Sequence, residues 1–128
     1  MTERPRRLVL VLEDSSDCAE TLQIALEALP DTEVRVCLNE RSMWPILERD
    51  SARLAAVVTD LHLDESDGFD VIRRLRADRR FGRLPILLIT GDSDPRIPNI
   101  ALSTGANAWF SKPYSPSAVR KKLEELLC

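Results

Sequence analysis

Five polar residues stand at the ends of short apolar runs in this 128-residue chain, namely Glu13, Asp14, Asp60, Thr90 and Lys112. Three of them are carboxylates, which would repel one another at a shared site unless a cation lies among them. Oxygen ligands without histidine or cysteine suit Mg²⁺, with Mn²⁺ as the alternative. A lysine and a hydroxyl group beside that ion would recognise the oxygens of a phosphoryl group. These residue types therefore predict phosphoryl transfer.

Each of these residues also has an ordinary structural explanation, such as an acidic helix start, a strand-end cap or a surface lysine. Lys112 is the most informative of them, because the chain has only three lysines among its 18 basic residues and the other two are adjacent at positions 121 and 122. A compact ammonium group at one strand end suits the recognition of a small anion. The coincidence of all these groups at one sheet edge favours a functional site.

Apolar runs alternate with amphipathic stretches along the chain, and this rhythm predicts βα units. We expect strands at Leu8–Leu12, Glu33–Cys37, Ala55–Thr59, Ile86–Ile89 and Ala108–Ser111. The first, third and fourth are almost continuously apolar, as is typical of central parallel strands, whereas the second alternates like an edge strand. Five such units are too few for an eight-stranded barrel. The predicted fold class is therefore α/β, an open doubly wound five-stranded parallel sheet.

Helical spacing is clearest after the first, third and fifth strands. Helix 1 should begin behind Ser15 or Ser16 and close at Pro30, and helix 5 should follow Ser115. Helix 5 carries a stripe that we expect to be buried, formed by Val119, Leu123, Leu126 and Leu127. Helices 2 and 4 are harder to predict because prolines fall inside the first and crowd the start of the second. An arginine-rich stretch at residues 73–83, beginning in helix 3, is either a solvated face or a surface for an anionic partner.

Composition excludes several classes of function. The formal net charge of −3 disfavours a nucleic-acid binder, and no apolar run approaches the ~20 residues of a membrane span. One histidine and three scattered cysteines cannot form a His/Cys metal cluster or a disulfide framework. We expect one domain at 8–128 behind an extension at 1–7, a cytoplasmic location, and reduced thiols of which two lie in the core.

Four motifs in this order and spacing resemble the receiver domain of two-component response regulators, in particular the single-domain chemotaxis regulators. They are Val-Leu-Glu13-Asp14-Ser, Val-Val-Thr-Asp60 with a glycine eight residues later, Leu-Leu-Ile-Thr90-Gly and Phe-Ser-Lys112-Pro113. The resemblance spans Leu8 to Leu127. It implies the flavodoxin-like (βα)5 strand order 2-1-3-4-5 and a cis peptide bond between Lys112 and Pro113.

The resemblance also implies roles for the site residues. Asp60 would accept a phosphoryl group from a histidine kinase or a histidine phosphotransfer protein, as in a phosphorelay. The divalent cation would be held by Glu13, Asp14, Asp60 and the backbone carbonyl of His62. Lys112 and Thr90 would contact the phosphoryl oxygens. Such a phosphoprotein is not an enzyme in the ordinary sense, since it catalyses only its own phosphorylation and dephosphorylation.

The same resemblance implies a switch. Thr90 would move inward and an aromatic residue three positions before the lysine would rotate, changing the surface of helix 4, strand 5 and helix 5 for a downstream effector or for a further domain absent from this chain. Here that residue is Trp109 rather than the usual tyrosine or phenylalanine. The larger indole either takes part in the switch or lies permanently on the partner surface.

Two more polar residues border the expected phosphoryl pocket: His62, two positions after the acceptor, and Asp92, two positions after Thr90. We hypothesise that they pair across its mouth and restrict the attacking water. The lifetime of phospho-Asp60 would then depend on pH over the range in which histidines change charge. The alternative is that they are two independent exposed side chains.

Two other functions remain to be weighed. A receiver-like interaction module without phosphorylation is disfavoured by the intact set of Asp60, Thr90 and Lys112. An aspartyl-nucleophile phosphatase of the haloacid-dehalogenase type needs a second aspartate two residues after the nucleophile, where this chain has His62. Its further acidic pair would follow the lysine, whereas Glu13 and Asp14 precede every other motif.

Overall fold

The structure is a computed structural model that describes residues 6–127. Its sheet has five parallel strands in the order β2-β1-β3-β4-β5. The strands are β1 (Arg7–Leu12), β2 (Thr32–Cys37), β3 (Leu54–Asp60), β4 (Ile86–Thr90) and β5 (Ala108–Ser111). The predicted fold class, strand order and edge position of β2 are confirmed. Most of the predicted extension and Cys128 lie outside the described residues, while Arg7 already belongs to β1.

Five helices connect and follow the strands: α1 (Ser16–Glu27), α2 (Glu40–Asp50), α3 (Gly68–Ala77), α4 (Ile97–Thr104) and α5 (Pro116–Leu127). Short 3₁₀ turns lie at Ser51–Arg53 and Arg79–Phe81. Pro45 lies within α2 without ending it. Met43 and Leu47, on either side of it, are fully buried, so packing against the sheet holds both halves of the helix in place. In α4, Pro98 is in the first turn, where its missing N–H has no helical partner to lose.

The sheet is covered on both faces, which explains its continuous apolar strands. Leu8, Leu10 and Leu12 of β1 pack on the face that α2, α3 and α4 cover. Val9 and Val11 point to the opposite face, which α1 and α5 cover. Because side chains alternate along a strand, a strand between two helical layers needs an apolar residue at every position.

Two details differ from the sequence-based expectations. In α5, Val119 and Leu123 are fully buried, but Leu126 and Leu127 are only partly buried because they lie in its last turn at the edge of the core. Of the described cysteines, Cys37 is buried but Cys18 is only half-buried, so the expectation of two core thiols holds for one of these two, while Cys128 lies outside the described residues. None of the helices within residues 6–127 is long and apolar enough to span a bilayer.

Candidate functional site

Three carboxylates meet at the carboxyl edge of the sheet. Glu13 and Asp14 follow β1, and Asp60 ends β3, which is the neighbouring strand. One carboxylate oxygen of each lies within 4.8 Å of the others. Glu13 is fully buried and Asp60 is 5% exposed, whereas Asp14 faces solvent. An acidic cluster with one open side is suited to a hydrated divalent cation with oxygen ligands.

Lys112, directly after β5, joins two of these carboxylates. Its Nζ donates to Asp60 Oδ2 at 2.6 Å and to Glu13 Oε2 at 2.8 Å. Partial burial by itself lowers the pKa of Lys112, but the hydrogen bonds to the two carboxylates outweigh it and hold that pKa well above the ordinary lysine value. The ammonium group is therefore charged at any physiological pH. The Lys112–Pro113 peptide bond is cis, as the resemblance implied.

Glu13 is a desolvated carboxylate. Burial raises its pKa, while the hydrogen bonds from Lys112 and from the Ser15 backbone N–H at 3.0 Å act against that rise. Both of its oxygens thus already accept a hydrogen bond. The Ser15 contact was not foreseen, although the position of Ser15 two residues after Glu13, at the N-cap of α1, is a sequence signal for such a contact.

A single glycine allows α3 to approach the acceptor strand. Gly68 is the first residue of α3, and its N–H donates to the Leu61 carbonyl at 2.6 Å. A Cβ at this position would lie 2.5 Å from the Asp60 carbonyl oxygen. Only glycine fits here without displacing backbone. The sequence motif contained this residue, but its packing role is visible only in the structure.

His62 and Asp92 do meet above the site. The His62 Nε2 atom and Asp92 Oδ2 are 3.0 Å apart, and the His62 backbone N–H donates to Asp60 Oδ1 at 3.2 Å. The pKa of Asp92 is lowered by the Asp94 backbone N–H and by His62. The site opens into a cavity of about 520 Å³ lined by Asp14, Asp60, His62, Gly91, Asp92 and Lys112.

Thr90 and Trp109 lie beside the carboxylates rather than among them. Thr90 is fully buried, and its Oγ1 accepts a hydrogen bond from the Asp92 N–H at 3.0 Å. Trp109 is 37% exposed and lines a second, adjoining cavity of about 280 Å³, which shares Asp92 and Lys112 with the first and also reaches Ile97. Thr90 is thus joined to the loop before α4, whose first residue shares this cavity with the indole.

The fold and the site define a doubly wound α/β protein with an acidic, lysine-bridged centre at the carboxyl ends of its strands. Residues 9–124 match the family model described as response regulator receiver domain. The chain belongs to this family.

Similar proteins agree with that membership. The chain is 30% identical over 119 residues to the chemotaxis protein CheY1 of Helicobacter pylori strain J99, covering 93% of this chain and 95% of that protein. The fold matches chemotaxis protein CheY4 of Vibrio cholerae at 23% identity, with a TM-score of 0.83 over 95% of this chain and 99% of that one. It also matches a response regulator receiver domain protein from Clostridium thermocellum at 19% identity, with a TM-score of 0.83 over 94% of each chain. The chain is therefore a CheY-like receiver domain of two-component signalling.

Proposed function

We propose that this receiver domain accepts a phosphoryl group on Asp60 from a phosphohistidine donor, which is a histidine kinase or a histidine phosphotransfer protein. An Asp60 carboxylate oxygen would attack the phosphorus atom, and the bond between phosphorus and the imidazole nitrogen would break with its electrons on that nitrogen. The observation that carries this proposal is the Asp60 carboxylate, nearly buried within an acidic cluster and held by Lys112 at 2.6 Å.

The residues present fit a divalent metal site. Glu13, Asp14, Asp60 and the backbone carbonyl of His62 would hold Mg²⁺ or Mn²⁺, which when bound supplies positive charge against the phosphoryl oxygens. Asp14 is the solvent-exposed member of this set, so its carboxylate can exchange water for the cation without breaking a buried contact. Glu13 contributes charge while both of its oxygens remain hydrogen-bonded.

Lys112 positions the nucleophile and then the product. Its ammonium group donates to Asp60 Oδ2, and within residues 6–127 the other oxygen, Oδ1, accepts a hydrogen bond only from the His62 backbone N–H, at 3.2 Å. Once a phosphoryl group is attached, the ammonium can turn from the carboxylate oxygen to a phosphoryl oxygen. Because the group is charged before and after transfer, this contact costs no change of protonation.

Thr90 would link the site to the partner surface. Its hydroxyl oxygen now accepts the Asp92 N–H, and its hydrogen can be donated to a phosphoryl oxygen only if the hydroxyl turns toward Asp60. That movement would shift the loop before α4, and because this loop lines the cavity beside Trp109, the indole could then change its position. The surface of α4, β5 and α5, where Leu102 is 59% exposed and Trp109 37% exposed, would then be the surface that a downstream effector binds.

The pair formed by His62 and Asp92 would restrict access to the phosphoryl group. The two side chains are 3.0 Å apart and line the cavity that opens onto Asp60, through which an attacking water would have to pass. His62→Ala should therefore shorten the lifetime of phospho-Asp60 in purified protein. An unchanged decay rate would show that the two side chains act only as exposed polar groups.

The chain would act as a phosphorylated signalling protein and not as an enzyme that turns over an external substrate. A cytoplasmic location fits the free thiols of Cys18 and Cys37, since disulfides are rare in that compartment. No contact with nucleic acid or membrane is part of the proposal.

The test is phosphorylation of the purified chain in Mg²⁺ by acetyl phosphate and by candidate phosphohistidine donors, followed by mass spectrometry. Asp60→Asn should abolish labelling. Asp64→Asn is the matched control, because it removes an exposed carboxylate from the loop that follows Asp60 and should leave labelling intact. Labelling that survives in Asp60→Asn would refute the assignment of the acceptor.

A further inference from the structure

Arg76 in α3 makes an unusual set of contacts for an arginine. Its guanidinium donates to the Gly105 carbonyl at 2.8 and 3.0 Å, to the Phe81 carbonyl at 2.9 Å and to Asn107 Oδ1 at 3.0 Å. Burial lowers the pKa of Arg76. The guanidinium is thus partly removed from water, although all of the acceptors it contacts are uncharged. Within residues 6–127, no ion pair was found for it, whereas carboxylates pair with three of its neighbours, Arg73, Arg74 and Arg80.

The acceptors of Arg76 lie at the C-terminal end of α4, in the 3₁₀ turn that ends at Phe81 and in the segment just before β5. Gly105 caps α4 with a φ of 116°, and its N–H bonds to the carbonyls of the last turn. A helix C-terminus carries partial negative charge, which a cation stabilises. Asn107 Oδ1 accepts from the Ile86 N–H at 2.8 Å as well, so the same contact set reaches the start of β4. Arg76 thus fastens this end of α4 to α3 and to the sheet.

Gly105 and Arg76 fit each other closely. A Cβ on Gly105 would lie 2.9 Å from Arg76 Cγ and 3.0 Å from its Nε. The glycine therefore serves two purposes, because it allows the left-handed cap and leaves room for the arginine side chain.

The N-terminal end of α4 has no polar contact to another helix comparable to that of Arg76 among residues 6–127, although its first residue, Ile97, is buried in the core. Arg96, the residue before the helix, makes no side-chain cap bond, and its ion pair with Asp94 is local and exposed. The segment from Thr90 to Arg96 connects this end directly to the candidate site, through the Asp92 N–H bond to Thr90 Oγ1. One end of α4 is thus coupled to Thr90, while the other end is coupled to α3.

We propose that Arg76 is a fixed pivot for α4, so that a movement of Thr90 tilts the N-terminal end of the helix while Gly105 stays in place. The proposal rests on the proposed function, because it takes Thr90 as the residue that moves. A helix of eight residues is roughly 12 Å long, so a displacement of about 2 Å at Ile97 corresponds to a tilt of roughly 10°. Arg76 is a positioning residue in this proposal and touches no reacting group.

Hydrogen exchange measured by mass spectrometry tests the pivot in wild type, Arg76→Met and Arg73→Met, with and without Mg²⁺ plus beryllofluoride. Arg73→Met is the matched control, since Arg73 is in the same helix and, among the described residues, pairs only with Asp70, one turn before it. Without beryllofluoride, amides 105–107 of Arg76→Met should exchange at least about tenfold faster than in wild type, because several hydrogen bonds are lost. The same amides in Arg73→Met should be unchanged.

With beryllofluoride, wild-type exchange should change at residues 91–100 and not at 101–107, whereas in Arg76→Met the change should extend through 107. A wild-type change spread evenly over both segments, or unchanged amides 105–107 in Arg76→Met, would overturn the pivot and leave the proposed function standing. A wild type that shows no response to beryllofluoride would count against the proposed function and remove the movement on which the pivot depends. Should Arg76→Met fail to fold, Gly105→Ala is the second variant, because its Cβ would displace the Arg76 side chain from Gly105. It is expected to give the same exchange pattern as Arg76→Met.

Discussion

Substitution of Gly68 by alanine should disturb the acceptor strand from a distance. The added Cβ would lie 2.5 Å from the Asp60 carbonyl oxygen and 3.0 Å from Leu61 Cα. A carbon–oxygen contact normally begins near 3.3 Å, so backbone must move by about 0.8 Å. Overpacking of this kind destabilises the folded state by about 1–3 kcal/mol. Alanine also lowers the conformational entropy of the unfolded chain, which offsets less than about 1 kcal/mol of that destabilisation. We expect a net loss of about 2 kcal/mol.

For a domain of this size, such a loss lowers Tm by roughly 6–10 °C. Urea and thermal unfolding followed by circular dichroism measure it, and phosphorylation by acetyl phosphate reports whether the displaced carbonyl also misplaces the Asp60 side chain. Gly82→Ala is the matched control, because Gly82 has ordinary helical angles and no atom lies within 4 Å of an added Cβ. Equal stabilities for Gly68→Ala and Gly82→Ala would refute the close approach of α3 to the Asp60 carbonyl.

Three further changes have defined outcomes. Lys112→Met leaves the buried carboxylates of Glu13 and Asp60 without their cation, so stability at pH 7 should fall by about 3 kcal/mol, as measured by urea unfolding. Without the ammonium, repulsion by Asp60 raises the pKa of Glu13 further, so Glu13 takes up a proton as pH falls and that proton replaces the lost positive charge. The loss of stability relative to wild type should therefore shrink at lower pH, and a loss that grows would contradict this. Glu40→Ala removes an almost buried acceptor of the Trp44 indole and of Arg74, and should cost about 1–3 kcal/mol in the same assay; no cost would mean that these contacts are solvent-screened. Trp109→Phe should leave stability within about 0.5 kcal/mol, since the indole is partly exposed, and should abolish any beryllofluoride-dependent change in tryptophan fluorescence; a change that persists would have to come from Trp44.

The sheet was predictable because its pattern is local. Each central strand is a run of apolar residues, and the residue after each run lies at the carboxyl edge whichever helices cover the faces. The strand-end residues Glu13, Asp14, Asp60 and Lys112 could therefore be assigned to one place before any contact was known. Cys18 shows the limit of this approach, because a small apolar residue at the start of a helix can lie at the rim of the core as easily as inside it.

The arginine-rich stretch shows why the remainder could not be predicted. Its members have different partners: Arg74 reaches Glu40 of α2, Arg80 reaches Glu48, and Arg76 reaches the cap of α4. Each contact joins residues at least 29 positions apart, so no local spacing indicates it. Neither predicted description, a solvated face or a single anion-binding surface, fits all of them, since one arginine is used inside the fold.

The charges of the site support the proposal that a signal leaves through Thr90. Three carboxylates and one ammonium carry a net charge of −2 when all are ionised, which one divalent cation would balance. A phosphoryl group on Asp60 replaces a carboxylate by a more highly charged group with more acceptor oxygens. Glu13 is buried and already accepts two hydrogen bonds, and the single ammonium of Lys112 can turn to one phosphoryl oxygen but not satisfy all of them. The Thr90 hydroxyl is a buried group at the end of β4 whose hydrogen has no acceptor among the hydrogen bonds of residues 6–127, whereas the buried Thr59 hydroxyl already donates to the Asp60 carbonyl. Turning the Thr90 hydroxyl toward Asp60 would alter its contact with the Asp92 N–H. In the proposed function, the added phosphoryl oxygens would therefore gain a new hydrogen-bond donor on the β4 side of the site, where the loop to α4 begins.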